Sequence, residues 1–137
     1  MYDLTSPAVI KHLCDSFGFS FKKSYGQNFL TDKDVLFGIA KSAGTDGILE
    51  IGPGFGTLTA ALATEAEKVV SVELDETLRP VLKETLAGFS NVSVRFGDIM
   101  KTDIKKLIDE EFSGMQVSVA ANLPYYVTTP ILMKLLE

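Results

Sequence analysis

Gly47-Ile48-Leu49-Glu50-Ile51-Gly52-Pro53-Gly54-Phe55-Gly56-Thr57 is the stretch that decides the fold. A short apolar run, Ile48 to Ile51, carries one acid near its end and enters three glycines at alternate positions. An apolar stretch of helical character, Thr57 to Ala66, begins at once. Strand, glycine turn and helix is the arrangement in which a backbone loop and a helix N-terminus meet a small polar ligand. The glycines allow a tight turn and let a ligand reach backbone atoms with no Cβ in the way.

Downstream of this unit the same alternation continues. Strands are expected at 47–51, 68–73, 91–96 and 116–121, and helices at 57–66, from Asp75 to about Ala87, at about 103–111 and from near Thr129. Strands separated by helices of this length imply βαβ units and a parallel sheet with helices on both faces. Upstream, Ser6 as N-cap and Pro7 at the first helical position open a short amphipathic helix over 6–17, with Val9, Ile10, Leu13 and Phe17 on one face. His12 sits beside that face and reads as a surface or capping residue. Residues 18–30 are irregular and aromatic (Phe19, Phe21, Tyr25, Phe29), with Lys22 and Lys23 between. They form either a loop packed on the domain or a segment covering a ligand with a small basic patch. Thr31-Asp32-Lys33-Asp34 has capping-box character and starts a helix to about Ala43, which Gly44 ends.

The totals narrow the class. The 137 residues make one domain, and 46% apolar with 23% charged residues describe a folded core. A net charge of −5 argues against unaided nucleic-acid binding. A lone cysteine, Cys14, excludes an internal disulfide, and no cluster suits a metal. There is no long apolar run and no signal-peptide pattern, so a cytoplasmic, non-membrane monomer is expected.

In open α/β sheets ligands bind beyond the carboxyl ends of the strands. Those ends carry Glu50 with the glycine loop, Glu73, Asp98 and Asn122-Leu123-Pro124-Tyr125-Tyr126. Glu73, about 20 residues past the first glycine, is placed to accept the two hydroxyls of a ribose. The glycines, however, read G-x-G-x-G with Pro53 inside the turn, where a dinucleotide fingerprint needs G-x-G-x-x-G. Glu50 would repel a pyrophosphate and attract an ammonium. An adenosine with an amino-acid tail, S-adenosylmethionine, fits better than NAD. Asp98 accepts from an adenine amine or is simply a turn aspartate. In Asn122-Leu123-Pro124-Tyr125, the Asn carbonyl and the Leu123 or Pro124 backbone carbonyl can accept both hydrogens of an exocyclic amine, and Tyr125 offers a stacking face. The plain alternative is a turn that ends a strand.

Gln27-Asn28-Phe29-Leu30, Glu50-Ile51-Gly52-Pro53-Gly54, Glu73, Gly97-Asp98 and Asn122-Leu123-Pro124-Tyr125-Tyr126 stand in the order and spacing of the ribosomal RNA adenine N6,N6-dimethyltransferases. Over about residues 18–137 the chain resembles that family, on the small-subunit branch linked to kasugamycin sensitivity. Leu123 stands where the large-subunit antibiotic-resistance methylases usually carry Ile. The resemblance implies a Rossmann-like S-adenosylmethionine-dependent methyltransferase fold, here about four parallel strands with flanking helices. It divides the chain into N-terminal helices with a cofactor-covering loop (1–45) and a cofactor-binding core (46–137). It implies that Gln27, Asn28, Leu30, Glu50, Gly52, Gly54, Glu73, Leu74, Asp98, Ile99 and Asn122 contact the cofactor. It places Asn122, Leu123, Pro124 and Tyr125 at the reacting amine, with no metal.

The implied reaction is dimethylation of two adjacent adenosines near the 3′ end of small-subunit RNA during ribosome biogenesis, with ribosomal RNA or a small-subunit precursor as partner. Alternatives are a large-subunit methylase or a ribosome-assembly factor that methylates secondarily. Family members continue with further strands and a C-terminal helical domain, so the segment alone is expected to methylate RNA weakly or not at all.

Overall fold

Leu4, residues 6–17 and residues 46–121 are described by the computed structural model. The aromatic segment 18–30, the helix expected at 31–43 and the one expected near Thr129 lie outside the described residues. The described elements are α1 (Pro7–Phe17), β1 (Gly47–Ile51), α2 (Thr57–Glu65), β2 (Lys68–Glu73), α3 (Arg79–Thr85), β3 (Val92–Phe96), α4 (Ile104–Glu111) and β4 (Val117–Ala121). The four strands form one parallel sheet in the order β3-β2-β1-β4. The chain steps outward from β1 through β2 to β3, then returns to place β4 on the other side of β1. That reversal opens a crevice at the carboxyl end of β1, the position favoured for ligands in such sheets.

Strand alternation sorts the side chains between the two faces. Ile48, Val69 and Ala120 pack with Leu58, Ala61 and Leu62 of α2, and α1, α3 and the turn before α3 extend this layer through Leu13, Cys14, Leu78, Val81 and Leu82. Leu49, Ile51, Val70 and Val72 face the other way, onto Leu107 of α4 and Phe112. Burial on both faces explains why β1 and β2 read as nearly continuous apolar runs. It also makes the polar residues inside them, Glu50, Ser71 and Glu73, conspicuous. At the opposite edge Asp46 ties three strands together. Its carbonyl accepts from the N–H groups of Glu67 and Lys68, and its carboxylate from the N–H of Gln116 at 2.6 Å.

The single helix expected from Asp75 to Ala87 is instead a 3₁₀ turn, Glu76–Leu78, followed by the shorter α3. Pro80 has no N–H to give the Glu76 carbonyl four residues back, so that carbonyl takes the Arg79 N–H and the turn tightens. A second 3₁₀ turn, Ile99–Lys101, precedes α4, and Asp98 and Asp103 cap the two elements.

Candidate functional site

The turn between β1 and α2 is built on left-handed backbone. Gly52, Gly54 and Gly56 have φ of 74°, 59° and 92°, values that L side chains adopt only at a cost. At Gly56 there is also no room: a Cβ would lie 3.0 Å from Leu86 Cδ2 and 3.1 Å from Thr85 Oγ1. The Gly52 N–H extends the sheet ladder to the Val72 carbonyl, and the Gly56 N–H closes the turn onto the Pro53 carbonyl. The loop is held from its flank by Thr85, whose hydroxyl donates to the Phe55 carbonyl at 2.8 Å.

Two carboxylates back this loop. Glu73, at the end of β2, accepts from the Gly54 N–H at 3.1 Å through Oε1 and from the Asp75 N–H at 2.9 Å through Oε2. It therefore ties the glycine turn to the β2 terminus. Each carboxylate oxygen can take a second donor, so capacity for hydroxyl groups remains. Burial pushes its carboxyl above the ordinary range, and the backbone N–H groups of Asp75, Gly54 and Leu74 partly offset that.

Glu50 is deeper, with 1% of its surface exposed. Its Oε1 accepts the Thr59 hydroxyl from α2 and the Ser71 hydroxyl from β2, the latter at 2.7 Å. Its Oε2 is buried and has no hydrogen-bond partner among the described residues. Burial pushes the carboxyl up to about 7, against the two hydroxyls that hold it down, and the nearby Glu73 charge adds to the rise. A buried acceptor in this state is stabilised by a donor carrying positive charge.

The third strand end is plainer. Asp98 accepts from the Met100 N–H at 2.9 Å, the turn-aspartate role that was the alternative to adenine binding. The residues after two of these acids diverge. Leu74 is 66% exposed beside Glu73, an open apolar surface next to the crevice, whereas Ile99 turns into the core with Leu49, Val70 and Leu107. The side chain of Ile99 thus supports the floor of the region instead of presenting a surface to it.

The described structure therefore gathers Glu50, Gly52, Gly54, Glu73 and Leu74 at the carboxyl ends of β1 and β2, with Asp98 beyond β3. Gln27, Asn28 and Leu30, and Asn122, Leu123, Pro124 and Tyr125, lie outside the described residues. Three contributors were missed from sequence: Thr59, Ser71 and Asp75. A signal existed for Ser71, the one hydroxyl in Val69-Val70-Ser71-Val72, which pairs directly with Glu50 in the β1–β2 register. Among the described residues no group of three His, Cys, Asp or Glu side chains suits a metal ion, and no helix is long and apolar enough to cross a membrane.

An orphaned buried acceptor, a second carboxylate and a left-handed glycine turn suit a ligand with both a cation and hydroxyls, and they disfavour a diphosphate. Comparison with known proteins narrows this. The family model for ribosomal RNA adenine dimethylases matches residues 18–137. The chain belongs to that family. It is 51% identical over 139 residues to a ribosomal RNA small subunit methyltransferase A from Lysinibacillus sphaericus, covering 98% of this chain and 47% of the relative. The protein of the same name from Alkaliphilus oremlandii is 50% identical over 137 residues, covering 98% and 48%. The chain thus spans about half the length of the curated relatives it matches.

Among solved structures, the 23S rRNA methyltransferase ErmE superposes with a TM-score of 0.67 at 32% identity, covering 80% of this chain and 43% of that one. A dimethyladenosine transferase from Plasmodium falciparum gives 0.59 at 31%, covering 77% and 37%. The four-stranded parallel sheet with its flanking helices is thus the Rossmann-like methyltransferase fold.

Proposed function

We propose that this chain provides the S-adenosylmethionine site of an enzyme that dimethylates N6 of two adjacent adenosines near the 3′ end of small-subunit ribosomal RNA. The observation that carries the reading is the identity of about half of all residues, over nearly the whole chain, to proteins named ribosomal RNA small subunit methyltransferase A. The large-subunit alternative has support from the fold of ErmE, but at 32% identity.

In this reading residues 46–137 form the cofactor core, and residues 1–45 hold the segment that covers it. Glu73 takes the ribose hydroxyls, Glu50 the ammonium and Asp98 the adenine amine, through the carboxylate oxygen that its bond from the Met100 N–H leaves over. Gly52 and Gly54 leave the backbone open to the ligand, and Leu74 packs against its base. Gln27, Asn28 and Leu30 contact its methionine end. S-adenosylmethionine would supply a methyl group already activated by its sulfonium.

The protein's own work is then positioning. An adenine amine is a poor nucleophile because its lone pair is delocalised into the ring. Hydrogen bonds accepted by the Asn122 side chain and by the backbone at Leu123 and Pro124 favour a pyramidal nitrogen with its lone pair free. Tyr125 would stack on the base, which has to leave its helical stack to enter such a pocket.

Calorimetric titration with S-adenosylmethionine, with NAD as control, tests the cofactor. Saturable binding of the first alone is expected, and preference for NAD would refute the reading. Transfer of a tritiated methyl by the whole enzyme that contains this chain to undermethylated small subunits, compared with 23S RNA, tests the substrate, and incorporation into the small subunit is expected. Incorporation confined to 23S RNA would move the assignment to the large-subunit branch.

A further inference from the structure

Glu50 is held from two elements at one oxygen. The Thr59 hydroxyl comes from the first turn of α2 and the Ser71 hydroxyl from the centre of β2, and both converge on Oε1. Neither donor reaches Oε2, which is buried and has no hydrogen-bond partner among the described residues. Thr59 and Ser71 are themselves fully buried, so solvent cannot replace either hydroxyl if it is removed. Two fixed donors on one oxygen leave the carboxylate plane little freedom to turn, and the choice of which oxygen stays open is made by the protein.

We propose that Thr59 and Ser71 are positioning residues that anchor Oε1 of Glu50 and thereby reserve its Oε2 for the ammonium group of the bound nucleoside. This rests on the S-adenosylmethionine reading and extends it to residues outside the cofactor contacts. The two hydroxyls have a second effect. They are the described groups that favour the charged carboxylate, opposing burial and the neighbouring charge of Glu73 on β2. From β4, the residue paired with Glu50 is Ala120, which adds no charge. Ligand affinity should therefore depend on pH, and that dependence should be set by Thr59 and Ser71.

The magnitudes are accessible. A carboxyl that titrates at about 7 in the free protein is ionised in roughly a tenth of molecules at pH 6 and in most at pH 8. The ligand's own α-amino group loses its proton at about 7.7–8.0, so the apparent affinity for an ammonium-bearing ligand should be about fivefold weaker at pH 6 than at a maximum at about pH 7.4, and should fall again above it. Removing one hydrogen bond to the charged form raises the midpoint by about one pH unit. Ser71→Ala and Thr59→Val should accordingly bind roughly tenfold more weakly than wild type at pH 6 and approach wild type near pH 8.5. Thr59→Ser, which keeps the hydroxyl, should restore the wild-type profile.

The experiment is calorimetry of the 137-residue chain and these three variants, from pH 6 to 8.5, with S-adenosylmethionine and with 5′-methylthioadenosine, which lacks the amino-acid tail. Circular dichroism of each variant confirms its fold. In parallel, the Glu50 Cδ resonance of a ¹³C-glutamate-labelled sample is followed against pH, with and without S-adenosylmethionine. The expected result is pH-dependent binding of the ammonium-bearing ligand alone, together with a Glu50 midpoint that falls on saturation and rises in Ser71→Ala. Weakening by the same factor at every pH, or a Glu50 midpoint unmoved by saturating ligand, would overturn the positioning role while leaving the cofactor reading intact. Failure of folded wild type to bind either nucleoside would overturn both.

Discussion

Replacing Glu50 by Gln should make the protein more stable at neutral pH, not less. In the folded chain burial raises the Glu50 carboxyl from its ordinary 4.5 to about 7. A group with a raised folded-state value binds its proton more tightly when folded. Its stabilising contribution is therefore complete below about pH 4.5 and is lost as pH rises through about 7. At 1.36 kcal/mol for each tenfold change, the rise corresponds to about 3 kcal/mol, an order-of-magnitude figure for a fully buried group. Glu50→Gln keeps the shape and the Oε1 acceptor and removes the titration. Wild type and variant should match within about 1 kcal/mol at pH 4.5, and the variant should lead by about 3 kcal/mol at pH 8. Glu73 tilts stability the same way, because burial also raises it, and Glu111 opposes because Arg95 and Lys68 lower it. Both are present in the two proteins, so the difference keeps only the titration of Glu50 and its smaller coupling to Glu73. Urea unfolding at half-unit pH steps measures that difference. A gap that does not widen between pH 4.5 and 8 would refute the claim that Glu50 is buried without a compensating cation among the described residues.

Gly56→Ala should cost about 2–4 kcal/mol, from a left-handed backbone together with displacement of Leu86 and Thr85, read as a lowered urea midpoint at unchanged slope. Asn91→Ala removes the amide that donates at 3.0 Å to both the Ala63 and Ala66 carbonyls at the end of α2, and should cost about 1–3 kcal/mol in the same assay. Glu73→Ala unties the Gly54 N–H from β2 and takes away the proposed ribose acceptor, so calorimetry should detect no S-adenosylmethionine binding by a chain that still unfolds cooperatively. Residual binding within a few-fold of wild type would mean that the acceptor of the ribose lies elsewhere.

Much of the sheet was legible because its signals are local. The apolar runs at 47–51 and 68–73, the glycine turn and the start of α2 at Thr57 all fall where periodicity puts them. The region after β2 was less legible. Helical propensity runs on from Asp75, but the missing N–H of Pro80 forces a 3₁₀ turn before α3 can begin. Asp98 shows the same limit in the site itself. A carboxylate at a strand end serves a ligand or its own turn, and here its described bond goes to Met100.

The sequence by itself determined which residues of the described chain would meet: a parallel sheet was implied by alternating elements, and its carboxyl edge collected Glu50, the glycines, Glu73 and Asp98. Those conclusions depend on spacing along one chain, which strand and helix periods translate directly into geometry. What each acid is bound to was decided by tertiary structure alone. Glu50 was legible as an acid at the carboxyl end of β1, but its state depends on two hydroxyls that the fold brings to a single oxygen, from nine residues downstream for Thr59 and from 21 for Ser71. Burial, the partner of each lone pair and the resulting proton affinity are properties of the packed interior, where a carboxylate has only the donors that neighbouring elements bring to it.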